Sequence, residues 1–145
     1  MISDHITFTI DHQPDDGDVN HLLQRLIEFN LKHLETIERK PLAVWFKSET
    51  GELMAGITGN TFGNWLEIRL FWVSEHLRGT GIGRQMLAQM ESAGKSRGCK
   101  YAFLDTFDFQ AKPFYEKNGY REVFCLDEYP LQGKKHFLLK RLQSL

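Results

Sequence analysis

The chain has little cysteine, little proline, no long apolar run and almost no net charge, and each shortage closes off a class of protein. Two cysteines in 145 residues, Cys99 and Cys125, lack C-x-x-C spacing, which argues against a disulfide framework and for reduced, buried thiols. Four prolines and twelve glycines, with no low-complexity tract or internal repeat, fit neither a linker nor a repeat array. No stretch approaches the ~18 apolar residues of a membrane-spanning helix. The start, MISDHITFTI, lacks a basic region followed by an apolar run, so the expectation is a soluble cytoplasmic protein without a membrane partner. Eighteen Lys and Arg against nineteen Asp and Glu create no global field toward nucleic acid, so any anion site must be local. His5, His12, His21, His33, His76 and His136 show no H-x-x-x-H or Cys/His ligand spacing, and no metal is expected.

What remains is an ordinary globular composition at single-domain length, read as one domain over 1–145. Ile6, Phe8 and Ile10 alternate with threonines, the period of a half-buried strand. DDGD then supplies a turn with Asp18 as the expected N-cap. Val19, Leu22, Leu23, Leu26, Ile27, Leu31 and Leu34 follow helical spacing, continuing until Pro41. LAVWF, LMAGITGNTF and WLEIRLFWV, separated by SETGE and by Gly63-Asn64, read as three antiparallel strands in hairpin sequence. The third is apolar on both faces except at Glu67 and Arg69, which predicts a central strand covered on both sides.

Ile82, Met86, Leu87, Met90 and Ala93 trace a helix from about Gly81 to Arg97. CKYAFLDTF is then a strand, AKPFYEKN a two-turn helix, and REVFCL and KKHFLLKRL are two closing strands. This order describes an α/β chain (α+β mixed): a mixed sheet with helices on its faces.

Between the third hairpin strand and the long helix lies LRGTGIGRQM, residues 77–86. Gly79, Gly81 and Gly83 can expose backbone N–H groups in one concavity at a helix N-terminus, with Arg78 and Arg84 at the rim, which suits a pyrophosphate. A tight structural turn is the competing reading. The dinucleotide fingerprint fails, because reading G-x-G-x-x-G from Gly79 ends on Arg84 and from Gly81 on Met86. The nucleoside-triphosphate loop fails too, for want of its Gly-Lys-Ser/Thr ending.

VSEHLRGTGIG followed by a helix and then AKPFYEKNGY resembles the GNAT superfamily of N-acetyltransferases. The R/Q-x-x-G-x-G/A signature falls on Arg78, Gly81 and Gly83. The second motif falls on Ala111, Phe114, Tyr115, Lys117, Gly119 and Tyr120. The resemblance implies a GNAT-like, mostly antiparallel central sheet flanked by helices and splayed between the fourth and fifth core strands. It also implies acetyl-CoA as acyl donor, held by the backbone of Phe71, Trp72 and Val73, by Arg78, Gly79, Thr80, Gly81, Ile82, Gly83 and Arg84, and by Tyr115. Where similar proteins often carry an Asn that contacts the cofactor, this chain has Asp108, which is expected to face the acceptor instead.

Acetyl transfer to an amine needs a proton acceptor for the nucleophile and a proton donor for the departing thiolate. Tyr115 matches the tyrosine that commonly serves as donor in similar proteins; the competing reading is a core aromatic. Glu67 matches a general-base glutamate of some members, and the competing reading is a partner of Arg69. By strand alternation Glu67 should share a face with Arg69, Phe71 and Val73. Glu67, Asp105, Asp108, Asp127 and Glu128, with Trp65, Phe107, Phe109 and Tyr129, suit a small cationic amine acceptor. Antibiotic, polyamine and peptide amines all stay open. The expected function is acetyl-CoA-dependent N-acetyl transfer by direct attack; a noncatalytic acyl-CoA-binding module is the alternative. A homodimer accords with the general habit of soluble oligomers.

Overall fold

The computed structural model describes residues 5–36, 38–109 and 111–143. The chain divides into two compact units, Met1–Ile37 and Glu38–Leu145.

Among the described residues of the first unit the one regular element is helix α1, Asp16–Asn30. Its N-cap is Asp15, not Asp18: the Asp15 carboxylate accepts the Asp18 N–H at 2.9 Å. Asp16 and Asp18 then lie in the first turn, where carboxylates face the positive end of the helix dipole. The helix does not run on to Pro41 but closes through turns at 31–33. The strand expected over Ile6–Ile10 is not formed, since these residues join no ladder. Alternation selects a face, but a strand exists only with a hydrogen-bonded neighbour.

The second unit is a six-stranded sheet with helices. Its strands are β1 (Arg39–Lys47), β2 (Leu53–Phe62), β3 (Trp65–Val73), β4 (Tyr101–Phe107), β5 (Arg121–Leu126) and β6 (Lys135–Arg141), in spatial order β1-β2-β3-β4-β6-β5. Every neighbouring pair is antiparallel except β3–β4. Pro41 lies inside β1 rather than ahead of it, tolerable because β1 is an edge strand and the missing N–H can point away from the ladder. A short 3₁₀ turn, Glu75–Leu77, leads from β3 toward α2 (Ile82–Ser96), and α3 (Lys112–Lys117) follows β4. No helix among the described residues is long and apolar enough to cross a membrane.

The core lies between the sheet and α2. Met86, Leu87 and Met90 of the helix pack with Ile57, Leu66, Leu104 and Leu138 of four strands. Complete burial of each large aliphatic side chain contributes on the order of 1.5–3 kcal/mol.

β3 departs from simple alternation. Thr58 of β2 pairs with Leu70, but the next residue, Gly59, pairs with Ile68, so Arg69 is an extra residue in β3. This bulge reverses the facing. Leu66 and Ile68 are buried before it, whereas Phe71 and Val73 join the core after it. Glu67 therefore does not share a face with Phe71 and Val73. The expectation that β3 is covered on both sides also fails: Leu70 and Trp72 are 69% and 49% exposed.

The bulge depends on its neighbour. A Cβ on Gly59 would stand 1.9 Å from the Glu67 carbonyl oxygen, so only glycine lets the two backbones approach this closely.

Candidate active site

β3 and β4 pair in parallel only through Trp65–Tyr101, Leu66–Ala102 and Glu67–Phe103. Beyond that point each strand is backed on its outer side, β3 by β2 as far as Val73–Ala55 and β4 by β6 as far as Phe107–Lys135. Their inner edges part. The fork lies between the fourth and fifth strands of the sequence-based order, as expected. It opens a cleft of about 1050 Å³, lined along one arm by Ile68 to Val73 and along the other by Leu104 to Phe107.

The glycine loop forms the cleft's far end. Arg78, Gly79, Gly81, Gly83 and Arg84 line it; Thr80 and Ile82 do not. Gly79 and Gly81 hold φ of 79° and 90°, and a Cβ at either would meet no atom within 4 Å. Glycine is demanded here by backbone conformation rather than by crowding inside the protein.

The first helical bond of α2 is Gln85 N–H to Gly81 O at 3.1 Å. The amides of Ile82, Gly83 and Arg84 thus lie at the open end of the helix, where its dipole is positive. Two neighbouring amides are used within the loop: Arg78 N–H donates to Glu75 O and Thr80 N–H to Leu77 O. Both the amide and the hydroxyl of Thr80 go to Leu77 O. Arg78 Nε donates to Val73 O at 3.2 Å, bracing the end of β3.

Tyr115 lies on the cleft wall, 8% exposed. α3 carries it, and the short helix is fixed by ring contacts. Phe71 lies 6.0 Å from Phe114 and 6.4 Å from Tyr115, and Tyr120 lies 5.8 Å from Tyr115, ring centre to ring centre. Burial, and secondarily the Asp105 carboxylate, push the Tyr115 phenol up to about 12, so it is protonated at any ordinary pH. Tyr120 is held protonated more firmly, first by burial and then by Glu91, whose carboxylate accepts its O–H at 2.8 Å.

Glu67 sits at the vertex of the fork and does not line the cleft. Asn60 Nδ2 donates to it at 3.3 Å, and Arg69 lies against it at 3.5 Å. Asp105 and Phe107 line the other arm, with Phe109 beyond it. Phe107 stacks with Phe109 and with Tyr129 at 5.3 and 5.7 Å, and Lys135 approaches Asp105 at 3.7 Å. Trp65 belongs elsewhere, stacked on Tyr101 at 4.7 Å. Asp127 pairs with Lys134 at 3.6 Å. Asp108 accepts a hydrogen bond from His136 Nε2, a contact that nothing in the local sequence announces. Sequence reasoning also missed Asn118, which lines the cleft and whose amide donates to Phe114 O at 2.8 Å, closing the end of α3.

The acetyltransferase (GNAT) family model matches residues 8–120. A blasticidin-S acetyltransferase of Streptomyces morookaense is 34% identical over 116 residues, 77% of this chain and 85% of that protein. The crystal structure of an acetyltransferase from Bacillus cereus superposes with a TM-score of 0.82 at 30% identity, over 92% of this chain and 97% of that one. An aminoglycoside 6'-N-acetyltransferase complexed with coenzyme A shares the fold, with a TM-score of 0.66 at 20% identity over 73% and 75% of the two chains. A parted β3–β4 pair, a glycine loop opening α2 and a tyrosine on the wall between them accompany these matches, and the chain belongs to the GNAT family of acetyltransferases.

Proposed function

We propose that the protein transfers the acetyl group of acetyl-CoA directly to an amine, with residues 1–145 acting as one catalytic domain. The observation that carries this reading is the fork. The inner edge of β3 from Ile68 to Val73 runs unpaired by β4 toward the open amides of α2, and Tyr115 lies on the wall between the arms.

An extended pantetheine arm can add to that edge as a strand would. Gly79 and Gly81 leave space over the loop for phosphate oxygens, the amides of Ile82, Gly83 and Arg84 can donate to them, and the Arg84 side chain adds charge. When bound, acetyl-CoA supplies an activated acyl carbon. The amine nitrogen attacks it, the carbon–sulfur bond breaks, and Tyr115 gives its proton to the departing sulfur. A phenol kept protonated by burial suits a donor. Glu67, at the vertex, is the proposed acceptor of the amine's proton through an intervening water. Holding both reactants in one cleft supplies the remaining acceleration.

Asp105 with the stacked Phe107, Phe109 and Tyr129 favours a cationic acceptor. The similarity to a blasticidin-S acetyltransferase makes that compound the first amine to assay. Thiol release from acetyl-CoA across a panel of antibiotic, polyamine and peptide amines tests the reading. Turnover on at least one amine is expected, falling about tenfold or more in Glu67→Gln. Tight CoA binding with no thiol release on any amine would identify a noncatalytic acyl-CoA-binding module instead.

A further inference from the structure

β5 carries a bulge of its own. Glu122 pairs with Leu138 of β6, but Phe124 pairs with Phe137, which leaves Val123 as the extra residue. Simple alternation would send Glu122 and Cys125 to opposite faces; the bulge returns them to one. Cys125 lies directly across from His136 in the ladder. One ligand atom each from Glu122, Cys125 and His136 falls within 4.8 Å of the others.

His136 is buried, Cys125 half-buried and Glu122 exposed, so the group has a fixed inner member and an open outer side. Both ring nitrogens of His136 are engaged, Nδ1 with Glu122 and Nε2 with Asp108.

We propose that Cys125, His136 and Glu122 form a zinc-binding site outside the catalytic cleft. One thiolate, one imidazole and one carboxylate are the donors a tetrahedral zinc ion takes, with a fourth position open to solvent. A mixed sulfur, nitrogen and oxygen set selects zinc over magnesium or calcium, which prefer oxygen alone. Asp108 completes the arrangement: a carboxylate on the far ring nitrogen fixes the orientation of a ligating histidine and raises its basicity. Ligand atoms on one zinc ion stand roughly 3.5 Å apart, and rotation of the two outer side chains closes the difference.

Loading displaces two protons to solvent, the thiol proton of Cys125 and the one shared by His136 and Glu122. Lys112, 3.6 Å from Glu122, is the cation the metal must displace from that carboxylate. The bound ion would tie β5 and β6 together beside Asp108, which lies between the cleft-lining Phe107 and Phe109.

Titration of the reduced full chain with cobalt(II), without CoA, tests this independently of acetyl transfer. One equivalent should bind with a thiolate-to-cobalt charge-transfer band in the near ultraviolet, and zinc should displace it. Cys125→Ser should abolish the band while retaining the wild-type circular dichroism. Glu122→Gln should keep the band and weaken binding at least tenfold, and Asp108→Asn should weaken it about 10- to 100-fold. Zinc should raise the melting temperature of the wild type but not of Cys125→Ser. No band at saturating cobalt, a band that survives Cys125→Ser, or affinity unchanged in Glu122→Gln would each overturn the site.

Discussion

The two bulged strands differ in where they sit, and the difference decides how tightly each bulge is held. β3 is an interior strand whose pairing with β4 ends at Glu67, so its extra residue, Arg69, is held from the β2 side, where Gly59 leaves the Glu67 carbonyl unobstructed. β5 is at the sheet's edge, where the extra residue, Val123, is 49% exposed. Both irregularities set two residues against one across a ladder, but the β3 bulge also requires a glycine opposite it, whereas the extra residue of β5 is half exposed. The interior bulge re-aims β3 where it leaves β4, and the cleft follows from it.

Gly59→Ala should break the interior bulge and have the largest effect. A Cβ 1.9 Å from a backbone oxygen forces the strands apart, at a cost of about 3 kcal/mol or more. Thermal denaturation should show a large fall in melting temperature, with CoA binding weakened in whatever protein stays folded.

Tyr115→Phe tests the wall of the fork that this bulge opens. Its kcat should fall by about 10²- to 10⁴-fold, while CoA affinity measured by calorimetry stays within about twofold. The same variant carries a pH signature. The phenol's pKa is raised from 10.0 to about 12 in the native state. Between these values the native state keeps a proton that the unfolded chain has lost, so stability falls as pH rises through this window. The contribution is on the order of 3 kcal/mol. Denaturant titrations between pH 10 and 12 should therefore show a shallower decline in Tyr115→Phe than in the wild type.

A pair of glycine variants separates backbone need from ligand need beyond the bulge. Gly81, at φ 90°, should lose about 1–2 kcal/mol on change to Ala. Gly83 is inside α2, and an added Cβ would make only ordinary contacts, 3.6 Å from Phe114 and 3.7 Å from Val73. Gly83→Ala should thus gain about 0.5–1 kcal/mol yet bind CoA more weakly, because the methyl group intrudes where phosphate oxygens approach. Stabilisation with unchanged CoA affinity would remove Gly83 from the proposed phosphate loop. The edge bulge supplies the smallest effect: Val123→Thr should change stability by less than about 0.5 kcal/mol.

The elements of the second unit were readable because each carries its own signal. A two-residue Gly63-Asn64 connection announces the β2–β3 hairpin, a helical stripe announces α2, and Pro113 in the first turn announces α3. The places of the glycine loop at the start of α2 and of Tyr115 on α3 were legible through motifs, since each motif spans residues close together in the chain. Facing was not legible past a bulge: alternation carried from Glu67 to Phe71 counts Arg69 as an ordinary strand residue, and the ladder does not. Nor was Pro41 placed correctly, because its exclusion from helices says nothing about its tolerance in an edge strand. The proximity of Cys125 to His136, eleven positions later, depends on the β5–β6 register. That of Asp108 depends on the loop after β4, so no spacing rule reaches either.

At the far end of α2 from the glycine loop, Arg97 donates to the carbonyls of Lys40 and Pro41 at 3.2 and 3.0 Å and to the Thr61 hydroxyl at 3.2 Å. Proline withholds a donor from β1, and the guanidinium occupies two of its acceptors. This stretch of one of the two edge strands consequently makes a poor template for a foreign chain.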